Sequence, residues 1–333
     1  MPTIAAVIPL YNGAPYIKQA IESVFEQDRP IDEIIVVDDG SSDDGAQIVE
    51  DMRQSDDRLR LFHKANGGQG SARNFGVANT SCDLIAFLDQ DDYWYKNHLA
   101  VLEKLFLAKD DGRLAYVYSN PDRVAVNGDL IAPRFLDTLK NQEHPKSSLM
   151  SCLTRDMYIL PGSSLISRKA FSKVGGFDEQ FRGYEDDDLF LRIFCAGYRS
   201  EYINQGLYAW RDNPSSTSYS RKMLISHILF FEKISNQDII GKLSKAERSI
   251  VAHRFARMAA RHVKTLIPRN DRETIDFLLP HIRKATSEML PYPRSLLRFK
   301  VFRRYWLFRA RLALENMLGI KRDSKPMPAS PNQ

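Results

Sequence analysis

The apolar run Leu84-Ile85-Ala86-Phe87-Leu88 leads straight into Asp89-Gln90-Asp91-Asp92. Three carboxylates within four residues repel one another by about a kcal/mol per pair in a well-hydrated setting. A hard divalent cation relieves that repulsion, and a cation so held is suited to gripping phosphates. The lead-in reads as a strand buried on both faces, the kind that belongs to a parallel sheet, whose ligands bind beyond the carboxyl ends of the strands. The acids therefore stand where a ligand binds.

Two further acidic clusters frame this one. Ile34-Ile35-Val36-Val37 runs into Asp38-Asp39-Gly40-Ser41-Ser42-Asp43-Asp44-Gly45, a second buried strand ending in an acidic turn. Asp43 and Asp44 also read simply as acceptors and negative charge at a helix start. Downstream, Gly183-Tyr184 precedes Glu185-Asp186-Asp187-Asp188, after which Leu189, Phe190, Ile193 and Phe194 recur at helical spacing. Between the first two clusters, Asn66-Gly67-Gly68-Gln69-Gly70-Ser71-Ala72-Arg73-Asn74 is glycine-rich and enters a helix, so its backbone N–H groups can approach an anion. It has neither the Gly-Lys-Ser/Thr of a P-loop nor the Gly-x-Gly-x-x-Gly of a dinucleotide fold.

The elements that must carry these clusters are legible in outline. Strand-like runs at 4–8, 34–37, 59–63 and 84–88 alternate with helix-like stretches near 14–27, 43–53 and 70–79. That order argues an α/β fold with a parallel, doubly wound sheet flanked by helices. A helix is expected near 96–109, then strands near 114–119 and 122–126 with an Asn127-Gly128-Asp129 turn. Residues 132–160 are poorly periodic and read as a substrate-side loop. Beyond about residue 221 the alternation stops, and 222–235, 243–266 and 272–289 favour helix. Three parts follow: a catalytic domain over 1–220, a helical basic region over 221–323, and a disordered tail over 324–333.

Charge follows the same division. The chain has a net charge of +5 over 333 residues, with about +15 in residues 221–333 and about −10 in residues 1–220. Cys82, Cys152 and Cys195 lie far apart and form neither a disulfide framework nor a thiolate zinc site, which fits a reducing compartment. The seven histidines fall in no metal-ligand spacing. No basic leader precedes the first strand, and no apolar run reaches the roughly 18–20 residues that cross a bilayer. The expectation is a cytoplasmic protein, soluble or peripheral. Residues 291–322 mix nine basic side chains and one acid with Phe, Tyr, Trp and Leu at roughly helical spacing. That pattern suits an anionic membrane surface, with a packed helix of solvated basic face as the rival and nucleic acid as the least favoured partner.

Taken together, the pieces resemble the family 2 glycosyltransferases of the nucleotide-binding A-type fold (GT-A, Rossmann-like, with a mostly parallel sheet). The matching pieces are Val7-Ile8-Pro9-Leu10-Tyr11-Asn12, the Val-Val-Asp-Asp-Gly-Ser-Ser turn at 36–42, Asn66-Gly67-Gly68 with Ala72-Arg73-Asn74, the set at 88–92, Gly175-Gly176-Phe177-Asp178, and Glu185-Asp186. They stand in the family's order across roughly residues 3–212.

The resemblance implies an inverting enzyme that moves a single sugar, a hexose or N-acetylhexosamine, from a nucleoside-diphosphate sugar to a hydroxyl of a glycan or lipid-linked acceptor. Polysaccharide, lipopolysaccharide or capsule assembly is the implied setting. Pro9, Tyr11, Asn12, Asp39, Asn66, Gly67, Arg73 and Asp89 would form the nucleotide-sugar pocket, although Pro9 and Tyr11 also read as a strand-ending turn. Asp91 with Asp89 would hold Mn2+ or Mg2+, with Asp92 beside them as a further candidate ligand. Asp186 is the implied general base, selected by the Glu-Asp-x-Asp-Leu spacing, with Glu185, Trp210 and Arg211 on the acceptor side or a closing loop. Processive members carry Gln-x-x-Arg-Trp and membrane helices at this point. Here Ala209-Trp210-Arg211-Asp212 stands instead, which favours single addition. The alternatives are a sugar nucleotidyltransferase and a catalytically silent sugar-nucleotide-binding protein.

Overall fold

A computed structural model describes residues 1–213, 221–236, 239–266 and 271–287. The chain divides into two compact units, one holding residues 1–152 and 156–216, the other beginning in earnest after residue 216. The first unit is built on a nine-stranded sheet in the order β3-β2-β1-β4-β8-β6-β9-β5, with β7 paired to β6. Its strands are β1 (Ile4–Leu10), β2 (Glu33–Asp38), β3 (Leu59–His63), β4 (Leu84–Phe87), β5 (Tyr93–Trp94), β6 (Leu114–Val124), β7 (Leu130–Ala132), β8 (Ser164–Ser167) and β9 (Arg199–Arg211). Its helices are α1 (Ile17–Phe25), α2 (Gly45–Arg53), α3 (Gln69–Ala78), α4 (His98–Lys109), α5 (Leu149–Leu153), α6 (Arg168–Lys173) and α7 (Glu185–Cys195).

The first half follows the alternation read in the sequence. β1 lies between β2 and β4, parallel to both, and every one of its residues is buried. A strand covered on both faces needs a continuous apolar run, which Ile4-Ala5-Ala6-Val7-Ile8 supplies. α1 covers the sheet with Ile17, Ala20, Ile21 and Val24, the stripe expected of a half-buried helix. α3 lies so close to β1 that a Cβ on Gly76 would fall 2.4 Å from Val7 Cγ1.

The second half departs from a mostly parallel sheet. β8 runs antiparallel between β4 and β6, β5 antiparallel to β9, and β7 antiparallel to β6, while β6 and β9 are parallel. Parallel and antiparallel pairings are thus equal in number among the described residues, and the sheet is mixed. β8 escapes a pattern reading because Ser164-Leu165-Ile166-Ser167 offers only two apolar residues. β6 is one strand across the gap expected between 119 and 122. Its register against β9 shifts on either side of Asn120, which admits Pro121 into a ladder it cannot donate to. The Asn127-Gly128-Asp129 turn forms as expected, with Gly128 N donating to Ala125 O at 2.9 Å.

In the second unit, α8 (Arg221–Asn236), α9 (Lys245–Leu266) and α10 (Arg272–Ser287) fall where helices were expected. They bury Ile228, Phe231, Phe255, Ile275, Leu278 and Ile282, with the Phe231 and Phe255 rings 5.1 Å apart. Among the described residues no helix is long and apolar enough to cross a membrane. The basic segment at 291–322 and the tail from 324 lie outside the described residues.

Candidate functional site

β2, β1 and β4 are parallel neighbours, so the loops that leave their carboxyl ends gather on one edge of the sheet. Asp39 follows β2 and is almost fully buried. Its Oδ1 accepts from Lys64 Nζ at 2.7 Å and Gly67 N at 2.8 Å, and its Oδ2 accepts from Gly68 N at 2.6 Å. The glycine-rich loop is thereby folded onto the end of β2, and Oδ2 keeps a lone pair for a further donor. Gly68 has φ +85°, and a Cβ there would collide with the Arg182 guanidinium, which lies over the loop.

Pro9 is buried within β1, opposite Val37. Tyr11, half exposed just beyond it, is held by its backbone: its N donates to Gln90 Oε1 at 2.7 Å and its O accepts from Gln90 Nε2 at 3.0 Å. Asn12, at φ +49°, accepts from Ser42 N at 2.8 Å and donates its own N–H to Ser41 Oγ at 3.0 Å. Gln90 and Asn12 thus lock the end of β1 to the two acidic turns that flank it. Asn66 is exposed beside Gly67.

Arg73 joins clusters far apart in the sequence. Only 1% of its surface is exposed, and its Nη2 donates to Asp89 Oδ1 at 2.5 Å while its Nη1 donates to Glu185 Oε1 at 3.0 Å. Burial opposes its charge, and Asp89 and Glu185 more than offset that, holding the guanidinium charged. The Phe177 and Phe87 rings stand 5.2 and 5.9 Å from its Cζ. Gln69 Nε2 adds a second donor to Asp89 Oδ1 at 3.1 Å. Arg73 is therefore no solvated helix arginine.

The four acids opening α7 have separate partners. Glu185 takes Arg73, Asp187 Oδ1 accepts from Met157 N at 2.7 Å, and Asp188 Oδ2 accepts from Arg192 Nε at 2.8 Å. Asp186 accepts from its own neighbour, Asp187 N, at 2.9 Å and stays partly exposed. Burial and the adjacent Glu185 charge push its carboxyl up to about 7. A carboxylate at that value, open on one side, is poised to take a proton near neutral pH.

The acidic turn after β4 is closed by Asp92 N on Asp89 O at 3.1 Å. Asp91 Oδ2 accepts from Asn213 Nδ2 at 2.9 Å, leaving Oδ1, and burial followed by the Asp89 charge pushes its carboxyl up. Asp92 is buried, and both its oxygens are engaged: Oδ1 accepts from Arg211 N at 2.7 Å and Oδ2 from the Tyr208 hydroxyl. It anchors the turn to β9 and has little left for a shared ion. Trp210 and Arg211 lie in β9, not in a loop. Arg211 is buried, donates to Asp91 O at 2.6 Å, Gln19 Oε1 at 2.7 Å and Val126 O, and rests near the Tyr16 and Tyr93 rings. Trp210 meets the Phe135 ring at 5.4 Å.

Among the described residues no three His, Cys, Asp or Glu side chains are grouped to hold a metal ion. The donor set still suits Mg2+ or Mn2+. Asp89 and Asp91 each keep an oxygen, and the carboxyl of Asp91 is raised first by burial and then by the Asp89 charge, the second of which a cation would relieve. Such ions take one or two carboxylates and complete their shell with phosphate oxygens and water.

Sequence reasoning gave no role to Lys64, Gln69, Gln90, Asn74, Tyr208 or Asn213. Gln90 and Asn74 sat inside recognised motifs, so a question about what fixes each motif would have found them. Tyr208 and Asn213 carry no pattern and become visible only when β9 pairs with β5 and β6.

The chain matches the family model for glycosyl transferase family 2 over residues 5–175 and that for the N-terminal domain of galactosyltransferase over residues 153–210. It belongs to glycosyl transferase family 2. It is 31% identical over 229 residues to the uncharacterized glycosyltransferase EpsJ of Bacillus subtilis, covering 65% of this chain and 63% of that protein. The chain thus spans less than two thirds of that curated relative. Its fold is that of S. aureus TarS 1-349 in complex with UDP-GlcNAc, with a TM-score of 0.61, 17% identity, and coverage of 96% of this chain and 93% of that one. The mannosyltransferase PcManGT from Pyrobaculum calidifontis, in complex with GDP-Man and Mn2+, matches at a TM-score of 0.50 and 17% identity, covering 96% of this chain and 88% of the other.

Proposed function

We propose that the chain transfers one sugar, with inversion, from a nucleoside-diphosphate sugar to a hydroxyl of a glycan or lipid-linked acceptor. The observation that carries this reading is the double engagement of Arg73, which joins Asp89 on the donor side to Glu185 beside Asp186. The base stacks near Pro9 and Tyr11, with Asp39 accepting from its N–H, and Asn12, Asn66 and Gly67 border it. Asp89 faces the ribose and phosphates, and Arg73, buried behind it, holds that carboxylate in place. Asp91 and Asp89 would hold Mn2+ or Mg2+, which when bound offsets charge on the departing diphosphate. Asp186 takes the acceptor hydroxyl proton, the acceptor oxygen bonds to the anomeric carbon, and the bond from that carbon to the diphosphate oxygen breaks. Trp210 borders the acceptor, Glu185 is buried beside Asp186, and Arg211 stiffens the strand end next to them.

Assembly of a polysaccharide, capsule or lipopolysaccharide at the cytoplasmic membrane face is the setting we assign. The basic segment at 291–322 supplies the attraction to anionic lipid. A thermal-shift screen of UDP-, GDP- and dTDP-sugars with and without Mn2+ tests the donor claim, UDP-GlcNAc first. A donor at 100 times its Kd stabilises by about 2.7 kcal/mol. No shift with any of them would overturn the reading, and binding without release of nucleoside diphosphate would favour a silent sugar-nucleotide-binding protein.

A further inference from the structure

We propose that Glu185 is a positioning residue for Asp186, and that Arg73 ties this pair of carboxylates to Asp89 across the site. The inference rests on the assignment of Asp186 as the base and goes on to say what sets its strength. Glu185 is 5% exposed. One of its oxygens is held by Arg73 at 3.0 Å, and the other, Oε2, is buried with no hydrogen-bond partner. A buried carboxylate oxygen left bare beside a second carboxylate is costly, and a structural ion pair with Arg73 does not require it. An amide at 185 would still accept from Arg73 and would remove the repulsion.

The cost has a chemical use. An aspartate at its ordinary acidity is a poor acceptor for a hydroxyl proton, and a neighbouring negative charge makes it a stronger one. Burial and then Glu185 raise Asp186 in that direction, with Arg73 pulling the other way. Arg73 is restrained from pulling harder because Asp89 shares its charge, and the Phe177 and Phe87 rings help fix its fork. The remaining charges nearby are committed elsewhere. On α7, Asp187 is bonded to Met157 N and Asp188 to Arg192. Asp156 is bonded to the Tyr184 hydroxyl, and Arg182 lies over Gly68. From α3, the charged group reaching Asp186 is Arg73, since Gly68, Gln69 and Gly70 are neutral.

Full-length protein labelled with 13C at the aspartate carboxyls tests this without substrate, the D186N variant identifying the signal. The wild-type midpoint is expected near the value of about 7. E185Q should lower it by more than one pH unit. E185D, which keeps the charge, and R73K, which keeps the cation, should each move it less, and they keep the comparison alive if E185Q fails to fold. A second readout is UDP release from UDP-GlcNAc with Mn2+. In E185Q the acid limb should move to lower pH by a similar interval and the plateau rate should fall at least threefold, with donor KM changed less than twofold. An unmoved midpoint in folded E185Q overturns the proposal, as does a midpoint in E185D that falls as far as in E185Q. Wild-type protein that shows the midpoint shift but releases no UDP would overturn the proposed function and leave the coupling of Glu185 to Asp186 standing.

Discussion

Asn74 and the backbone of Phe177 exchange two hydrogen bonds, Asn74 Nδ2 donating to Phe177 O and Phe177 N donating to Asn74 Oδ1, each at 2.8 Å. This ring fastens α3 to the loop that leads into α7. The preceding residue, Arg73, reaches the first residue of α7 itself. Two consecutive side chains of one helix therefore fix α3 to the start of α7, where Asp186 stands. Gly176 must be glycine here, since it sits at φ +68° and a Cβ would fall 2.6 Å from Asn74 Oδ1.

Asn74→Ala should destabilise the chain by about 1–3 kcal/mol, because it leaves a backbone donor and acceptor without partners. Asn74→Asp should destabilise as well, since it keeps the acceptor for Phe177 N but sets its second oxygen against Phe177 O and Glu179 Oε1, both acceptors. Urea midpoints of the two variants check this, and midpoints unchanged from the wild type would remove the ring as a stabilising feature.

Asp91→Asn and Asp92→Asn should separate cleanly. The first removes a charge with a spare oxygen and should abolish Mn2+-dependent donor binding. The second alters a carboxyl already spent on Tyr208 and the Arg211 backbone, raised well above the usual range by burial and by Asp91 and Asp89, so Mn2+-dependent binding should persist. Calorimetric titration of UDP-GlcNAc with Mn2+ reads both. Loss in the second variant with retention in the first would reverse the assignment.

Gly76→Ala pits two effects against each other. Alanine favours a helix over glycine by about 1 kcal/mol. The added Cβ would meet Val7 Cγ1 at 2.4 Å against a strand buried on both sides, which cannot yield easily. Overpacking of this kind costs about 1–3 kcal/mol, so the net effect should be destabilising. A raised melting temperature would contradict the close approach of α3 to β1.

The parallel half of the sheet was legible because strands covered on both faces must be apolar throughout, and 4–8, 34–37 and 84–88 are. The acidic clusters were legible for the complementary reason that like charges after such runs need an occupant. The antiparallel insertion was hidden, because β8 spends half its residues on serines and β6 carries Asn120 and Pro121 in mid-strand. Four acids opening α7 looked alike in sequence. Their partners distinguish them, and those partners, Arg73, Met157 and Arg192, come from three different places along the chain.

Asp186→Asn should stabilise the protein at alkaline pH. Its native carboxyl is raised from 3.8 to about 7, so the native state binds the proton more tightly than the unfolded chain. The resulting stability is present below the unfolded value and is lost as pH rises through about 7. The variant should therefore melt above the wild type at pH 8, with the gap closing as pH falls toward 4. A gap that widened on acidification would show the native carboxyl is not raised.

The most direct test is the separation of binding from turnover at Asp186. UDP-GlcNAc with Mn2+ is titrated into wild-type and Asp186→Asn protein, and UDP release is followed in the same samples. Equal donor affinity with release slowed at least ~10²-fold in the variant is the expected result, since only proton removal from the attacking water, which stands in for the acceptor hydroxyl, is lost. Unchanged release, or donor binding lost together with release, would contradict the assignment of Asp186 as the base of a sugar transfer.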